Sequence, residues 1–225
     1  MARTQSVISL DPIDRKKKLG IIGRLLITRW FKGVKIKKSE PYGHYMFCGV
    51  QGSGKTASAL WYGEKLARKY KKKGKRVVFY SNIGVGNHLD KVKIFDTINA
   101  FEPNDNEVRI IIIDEIHTYF PKGTVDKETQ KIRDDLVAIF SQLRKRSTFI
   151  LSTAQIYGRL DKSLREQCLY MIDCKNSKSN KLVNEFIPEK DILCDDLGRW
   201  AGNPKYIYVH GLSKLKYDTK KIIRE

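Results

Sequence analysis

Short apolar runs alternate with longer amphipathic stretches through the middle of the chain. His44 to Cys48 is an apolar run of strand length. Arg76-Val77-Val78-Phe79-Tyr80 is a second, continuing into Ser81-Asn82-Ile83, and Arg109 leads four consecutive isoleucines, Ile110 to Ile113, in a third. A run without polar interruption is the pattern of a strand buried on both faces of a parallel sheet. Ser147 to Thr153 and Cys168 to Asp173 read as a fourth and fifth strand, and Tyr206 to His210 as one more. Between them, Lys55 to Lys71 predicts a helix. Asp126 to Arg144 predicts another, with Ile132, Leu136, Ile139, Phe140 and Leu143 at helical spacing. Residues 84–108 read as irregular, with a short helix near Thr97 to Phe101, and Lys175 to Lys181 as a polar loop. Strands alternating with helices predict an α/β fold with a mostly parallel central sheet flanked by helices.

The ends are organised differently. Gly20 to Phe31 can form a short amphipathic helix, placing Ile21, Ile22, Leu25, Leu26 and Trp30 near one face. Such a basic helix either packs on the core or lies on a membrane surface. Three segments follow from this: a basic extension over 1–42, a core over 43–175, and a short C-terminal extension over 176–225 with at least one strand. The 225 residues suit one α/β domain with additions. No stretch reaches the roughly 18 apolar residues of a transmembrane segment, and no secretory leader is visible. Cys48, Cys168, Cys174 and Cys194 lie far apart without a C-x-x-C pair, which reads as reduced thiols rather than a zinc site. The expected location is the cytoplasm, of the host if the protein is viral.

Charge changes this picture. The formal net charge is +19, and residues 1–76 carry twenty Lys and Arg against four Asp and Glu. The remaining residues are nearly balanced. A basic third of a chain points to a polyanionic partner, with contacts expected from residues 15–38 and 69–76.

Chemistry enters at Gly49-Val50-Gln51-Gly52-Ser53-Gly54-Lys55-Thr56, a complete G-x-x-x-x-G-K-[ST] loop between a strand and a helix. The glycines permit positive φ and close backbone approach, so that successive amides converge on phosphate oxygens. The following helix N-terminus favours negative charge. Lys55 is placed to reach the β- and γ-phosphates, and the Thr56 hydroxyl to ligate magnesium. The third strand ends in Asp114-Glu115. At that edge Asp114 would hold the magnesium shell, and Glu115 would act as general base toward the water attacking the γ-phosphate. Gln155, just past the fourth strand, can sense the γ-phosphate or orient that water. The expected cofactors are therefore ATP and Mg2+. Guanine specificity needs an N-K-x-D loop, and Asn180-Lys181 is followed by Leu182-Val183.

Together GVQGSGKT, IIIIDEIH and LRKRSTFILSTAQIYGRLDKSLREQC resemble the additional-strand, catalytic-glutamate P-loop ATPases. Within these the motifs are similar to the FtsK–HerA-like branch, which includes viral genome-packaging ATPases and zonula occludens toxin-like phage proteins. Tyr217-Asp218-Thr219 also resembles an ending of the latter. The resemblance spans roughly residues 43–175. It implies Lys55, Glu115 and Gln155 in catalysis, and Thr56 and Asp114 at the metal. It also implies a ring in which an arginine of a neighbouring copy, Arg146 first, then Arg144 or Arg165, reaches the γ-phosphate.

The function so implied is ATP-driven nucleic-acid translocation, in particular packaging of a viral double-stranded DNA genome by a homomeric ring at a portal or capsid vertex. Loops within 84–108 and 117–125, Lys122 among them, would face the channel. Two alternatives stand: a membrane-associated assembly ATPase of the zonula occludens toxin-like kind, and an ATP-dependent switch or scaffold without sustained turnover.

Overall fold

The computed structural model describes residues 40–89, 96–98, 100–119, 123, 127–176, 181–194 and 200–211. The expected helix over 20–31, the basic residues 15–38, Lys122 and the 217–219 motif lie outside the described residues.

Strand β1 (Gly43–Cys48) runs into the glycine loop and helix α1 (Lys55–Lys71). β2 (Arg76–Ser81), the two-residue β3 (Asn87–His88) and β4 (Glu107–Ile113) follow, then α2 (Lys127–Ser141), β5 (Thr148–Ala154), the short α3 (Lys162–Glu166) and β6 (Cys168–Asn176). β7 (Leu182–Pro188), a small β8–β9 ribbon (Leu193–Cys194 with Trp200–Ala201) and β10 (Tyr206–His210) complete the described elements. The main sheet has eight strands in the order β10-β7-β6-β1-β5-β4-β2-β3. From β3 to β6 all neighbours are parallel, and β7 and β10 add antiparallel at one edge. The mostly parallel α/β sheet expected from the strand–helix alternation is present. β5 is inserted between the strand that leads into the glycine loop and the strand that ends in the acid pair.

The apolar runs of β1, β4 and β5 divide by parity, because successive side chains in a strand point to opposite faces. Tyr45, Phe47, Ile110, Ile112, Phe149 and Leu151 pack with Leu60, Tyr62 and Leu66 of α1 on one face. Met46, Cys48, Ile111, Ile113 and Ile150 pack with Leu136, Ile139 and Phe140 of α2 on the other. The uninterrupted isoleucine run is therefore what a two-sided core requires. The elements end close to where the pattern placed them. α1 and β10 match their predicted spans. α2 stops at Ser141 rather than Arg144, because Gln142 to Ser147 form a series of turns that closes with Ser147 at φ 49.

The segment after residue 175 joins the same sheet, and β6 itself runs on to Asn176. The polar-loop expectation for Lys175 to Lys181 meets the end of that strand, with residues 177–180 outside the described ones. Among the described residues no helix is long and apolar enough to cross a membrane.

Candidate functional site

All three sequence-selected groups meet at the C-terminal edge of the parallel strands. β1 ends at Cys48, beside Ala154 of β5. β4 ends at Ile113, opposite Ser152 of β5. Because β5 stands between β1 and β4, Gln155 at its tip lies between the glycine loop and the acid pair. It is partly exposed in a bend.

The glycine loop is shaped by its backbone. Gly49, Gly52 and Gly54 have φ of 149, 77 and 84, values that side-chain-bearing residues rarely adopt. A Cβ on Gly49 would stand 2.5 Å from Ser53 Oγ and 2.8 Å from the Cys174 carbonyl oxygen. The loop thus needs glycine for contact as well as for φ. Ser53 N donates to Val50 O at 3.1 Å, closing a turn. Lys55 is buried and folds back over that turn, its Nζ donating to Val50 O at 3.2 Å. Gly54 precedes the first turn of α1 without any side-chain cap, so the amides at that end keep their capacity for an anion. Ser53 Oγ is buried without a hydrogen-bond partner among the described residues. Val50 and Gln51 are exposed at the loop's outer side.

Asp114 is the junction. Its Oδ1 accepts from Thr56 Oγ1 at 2.8 Å and from Thr153 Oγ1 at 2.8 Å. The helix after the glycine loop, the tip of β4 and the tip of β5 are thereby tied through one carboxylate oxygen. A hydroxyl and a carboxylate at this spacing are hard oxygen donors of the kind magnesium takes alongside phosphate oxygens. Thr56 and Asp114 therefore fit a magnesium site. Among the described residues no cluster of three or more His, Cys, Asp and Glu converges anywhere, so phosphate oxygens and water would complete its shell.

Glu115 is one of two described non-glycine residues with positive φ, at φ 53 and ψ 48. Such a conformation persists only where surrounding bonds fix it. Here Glu115 N donates to Thr153 Oγ1 at 2.9 Å, and the Thr118 hydroxyl donates to Glu115 O at 2.9 Å. Asn82, just beyond β2, clamps the residue before it: Asp114 N donates to Asn82 Oδ1 at 2.9 Å, and Asn82 Nδ2 donates to Asp114 O at 3.0 Å. The same Nδ2 reaches the Tyr119 hydroxyl at 3.1 Å. Glu115 Oε2 faces His117 Nδ1 at 3.2 Å.

Thr153 and Asn82 were not given a role at this edge by sequence reasoning, and His117 entered only as the first residue of the 117–125 loop. Thr153 was visible only as the last residue of the predicted fourth strand, and Asn82 only within the continuation of the second.

The arginines lie elsewhere. Arg146 precedes β5, so it sits at the end of the sheet opposite the glycine loop. Its guanidinium donates to Ile98 O at 3.1 Å and to Gln142 Oε1 at 3.4 Å. Arg144 is exposed in the same turn. Arg165 on α3 lies over the Tyr157 ring at 5.3 Å.

Residues 45–175 match the model of the ATPase family associated with various cellular activities (AAA). No curated protein sequence matches the chain. Among solved structures, the fold is similar to the N-terminal domain of zonular occludens toxin from Neisseria meningitidis. That match has 16% identity and a TM-score of 0.50, and covers 78% of this chain and 96% of that one. It is also similar to the genome packaging NTPase B204 from Sulfolobus turreted icosahedral virus 2 in complex with ATP-gammaS, at 12% identity and a TM-score of 0.49, covering 77% and 99%. At 16% identity the first likeness speaks for the fold alone.

Proposed function

The chain belongs to the family of ATPases associated with various cellular activities, and from that premise we propose that it hydrolyses ATP with magnesium to translocate nucleic acid, as a homomeric ring acting on double-stranded DNA. The observation that carries the hydrolytic half is the Asp114 junction, where one carboxylate joins Thr56, Thr153 and the backbone turn that displays Glu115.

In this reading the amides of Gly49 to Thr56 and the Lys55 ammonium hold the β- and γ-phosphates. Thr56 and Asp114 would hold magnesium, whose chemistry there is to neutralise charge on the phosphate oxygens. Glu115 takes a proton from a water while that water's oxygen bonds to the γ-phosphorus. The bridging bond breaks and its electron pair leaves with ADP. Gln155, between the two strand tips, orients the water or registers the γ-phosphate. An arginine of a neighbouring copy, Arg146, Arg144 or Arg165, supplies positive charge to the same phosphoryl group. Arg146 would have to release Ile98 O to do so.

Translocation rests on the resemblance of the three motifs to the FtsK–HerA-like branch and on the basic charge of residues 1–76. Residues 1–42 then form a basic extension of the core and residues 176–225 its C-terminal extension. The work of a viral packaging motor at a portal or capsid vertex would be done in the host cytoplasm.

ATP hydrolysis by the full chain, with and without duplex DNA, tests this. DNA is expected to raise turnover, and Glu115→Gln to abolish it while ATP binding persists. Absence of turnover with DNA and with assembled particles alike would leave the switch or scaffold reading in its place.

A further inference from the structure

His117 lies two residues beyond Glu115 in a short 3-10 turn, Ile116–Thr118. Its Nδ1 is 3.2 Å from Glu115 Oε2. Both atoms are inaccessible to solvent, and neither has a hydrogen-bond partner among the described residues. They oppose each other at contact distance without the alignment of a formed bond. A carboxylate oxygen shut away from water without a donor is costly, and a buried ring nitrogen alone is costly too. One small rotation of either side chain satisfies both at once. The backbone leaves little else to move, because the Glu115 amide is held by Thr153 and its carbonyl by Thr118.

We propose that His117 is a positioning residue for Glu115, its Nδ1–H donating to Oε2 so that the other carboxylate oxygen is turned toward the attacking water. This rests on the reading of Glu115 as general base. Among the described residues the ring has no hydrogen bond or ion pair with the glycine loop, Thr56 or Asp114, so its effect falls on the chemical step and not on nucleotide affinity. Orientation of a catalytic group is worth a great deal: a displacement of about 1 Å can cost on the order of a hundredfold in rate.

The test uses the full chain and four variants. His117→Ala is expected to lower kcat by about ten- to a hundredfold with ATP affinity within about twofold of wild type. His117→Asn places an amide N–H near the position of Nδ1 and is expected to restore most of the rate. Adding His117→Ala to Glu115→Gln is expected to cause no further loss. Unchanged or faster turnover in His117→Ala, failure of His117→Asn to rescue, or a parallel fall in ATP affinity would each overturn the proposal. Turnover retained in Glu115→Gln would instead remove the general-base reading itself. Nitrogen-15 resonances of the histidine side chains give a readout that needs no turnover. Nδ1 of His117 is expected to carry the proton in wild type; a ring protonated only at Nε2 could not donate to Glu115 and would also overturn the proposal.

Discussion

At the scale of single residues, buried polar groups are satisfied in sets, and the sets are what sequence reading passes over. His44, the second residue of β1, has zero exposure. Its Nε2 lies 2.6 Å from Ser152 Oγ, and its Nδ1 lies 3.1 Å from Cys168 Sγ. Histidine, serine and cysteine on three adjacent strands resemble a nucleophile and its base. They are sealed in the core, however, and burial pushes the Cys168 thiol up, away from the reactive thiolate. Burial also pushes His44 down from 6.5 to about 3. An unfolded chain therefore binds a proton at this position between those values while the folded chain does not. The stabilisation is complete above pH 6.5 and is lost as pH falls toward 3. Between pH 7 and pH 5 this one group is expected to remove about 2 kcal/mol of unfolding free energy. Denaturant unfolding of wild type and His44→Gln at both pH values measures it: the pH-dependent drop should shrink by about that amount in the variant. Thr153 illustrates the same blindness at the functional edge. A β-branched residue in a strand is adequately explained as a sheet former, and only the folded chain reveals a hydroxyl that accepts from Glu115 N while donating to Asp114.

At the scale of elements, legibility followed the continuity of the apolar pattern. β1, β4, β5 and β10 were readable because each is an apolar run of strand length, and α1 because it follows a motif that obliges a helix to start. β7 was not, because Asn184 and Glu185 interrupt Leu182–Pro188 and make it look like surface. Each has a partner that the linear pattern cannot show. Asn184 Oδ1 accepts from Ser58 Oγ of α1 at 2.9 Å, and its Nδ2 meets His210 Nε2 of β10 at 2.7 Å. Glu185 Oε2 accepts from Lys175 Nζ at 2.8 Å. The His210 ring stacks on Trp61 of α1 with centroids 3.8 Å apart. The last strands are thus bonded to the helix that follows the glycine loop, and Leu182 begins β7 where a Cβ on Gly54 would meet it at 2.4 Å. The loop is enclosed by β6 as well, since the Cys174 carbonyl borders Gly49. Gly49→Ala must therefore displace the Cys174 backbone as well as the buried Ser53 side chain. The expected outcome is a loss of roughly 1–3 kcal/mol from strain together with loss of ATP binding. Thermal unfolding and titration with a fluorescent ATP analogue check the two separately. A variant that bound ATP normally would show that the close approach is not needed.

At the scale of the whole molecule, the chain is electrically polarised along α1. The phosphate site is at the first residue of this 17-residue helix, and the last is Lys71, followed by Lys72 and Lys73, about 24 Å away at 1.5 Å per residue. That rim is the opposite edge of the sheet, where the turns before β2 and β5 lie, and it also carries exposed Arg144 and Lys145. Part of its charge is used internally. Arg68 pairs with Glu64, and Lys69 and Lys65 both pair with Glu40. Burial pushes the Glu40 carboxyl up, but these two ammoniums together outweigh it and hold Glu40 below its usual value. Cations at a helix C-terminus also complement its dipole, so α1 alone would justify one or two. It does not require three further exposed lysines in succession, of which Lys73 lies over the Tyr70 ring at 5.4 Å. If these lysines meet the phosphates of duplex DNA, each contact releases counterions, and the slope of log affinity against log salt becomes shallower by about 0.9 for each one removed. Replacing Lys71, Lys72 and Lys73 together by Glu is therefore expected to flatten that slope by roughly 2–3 and to weaken DNA stimulation of ATP turnover. ATP affinity without DNA should stay unchanged, because the nucleotide edge is a helix length away. DNA binding measured across a salt series for the variant and wild type decides it. An unaltered slope would assign these lysines to the solvated end of the helix and leave the polyanion to the basic residues of 15–38.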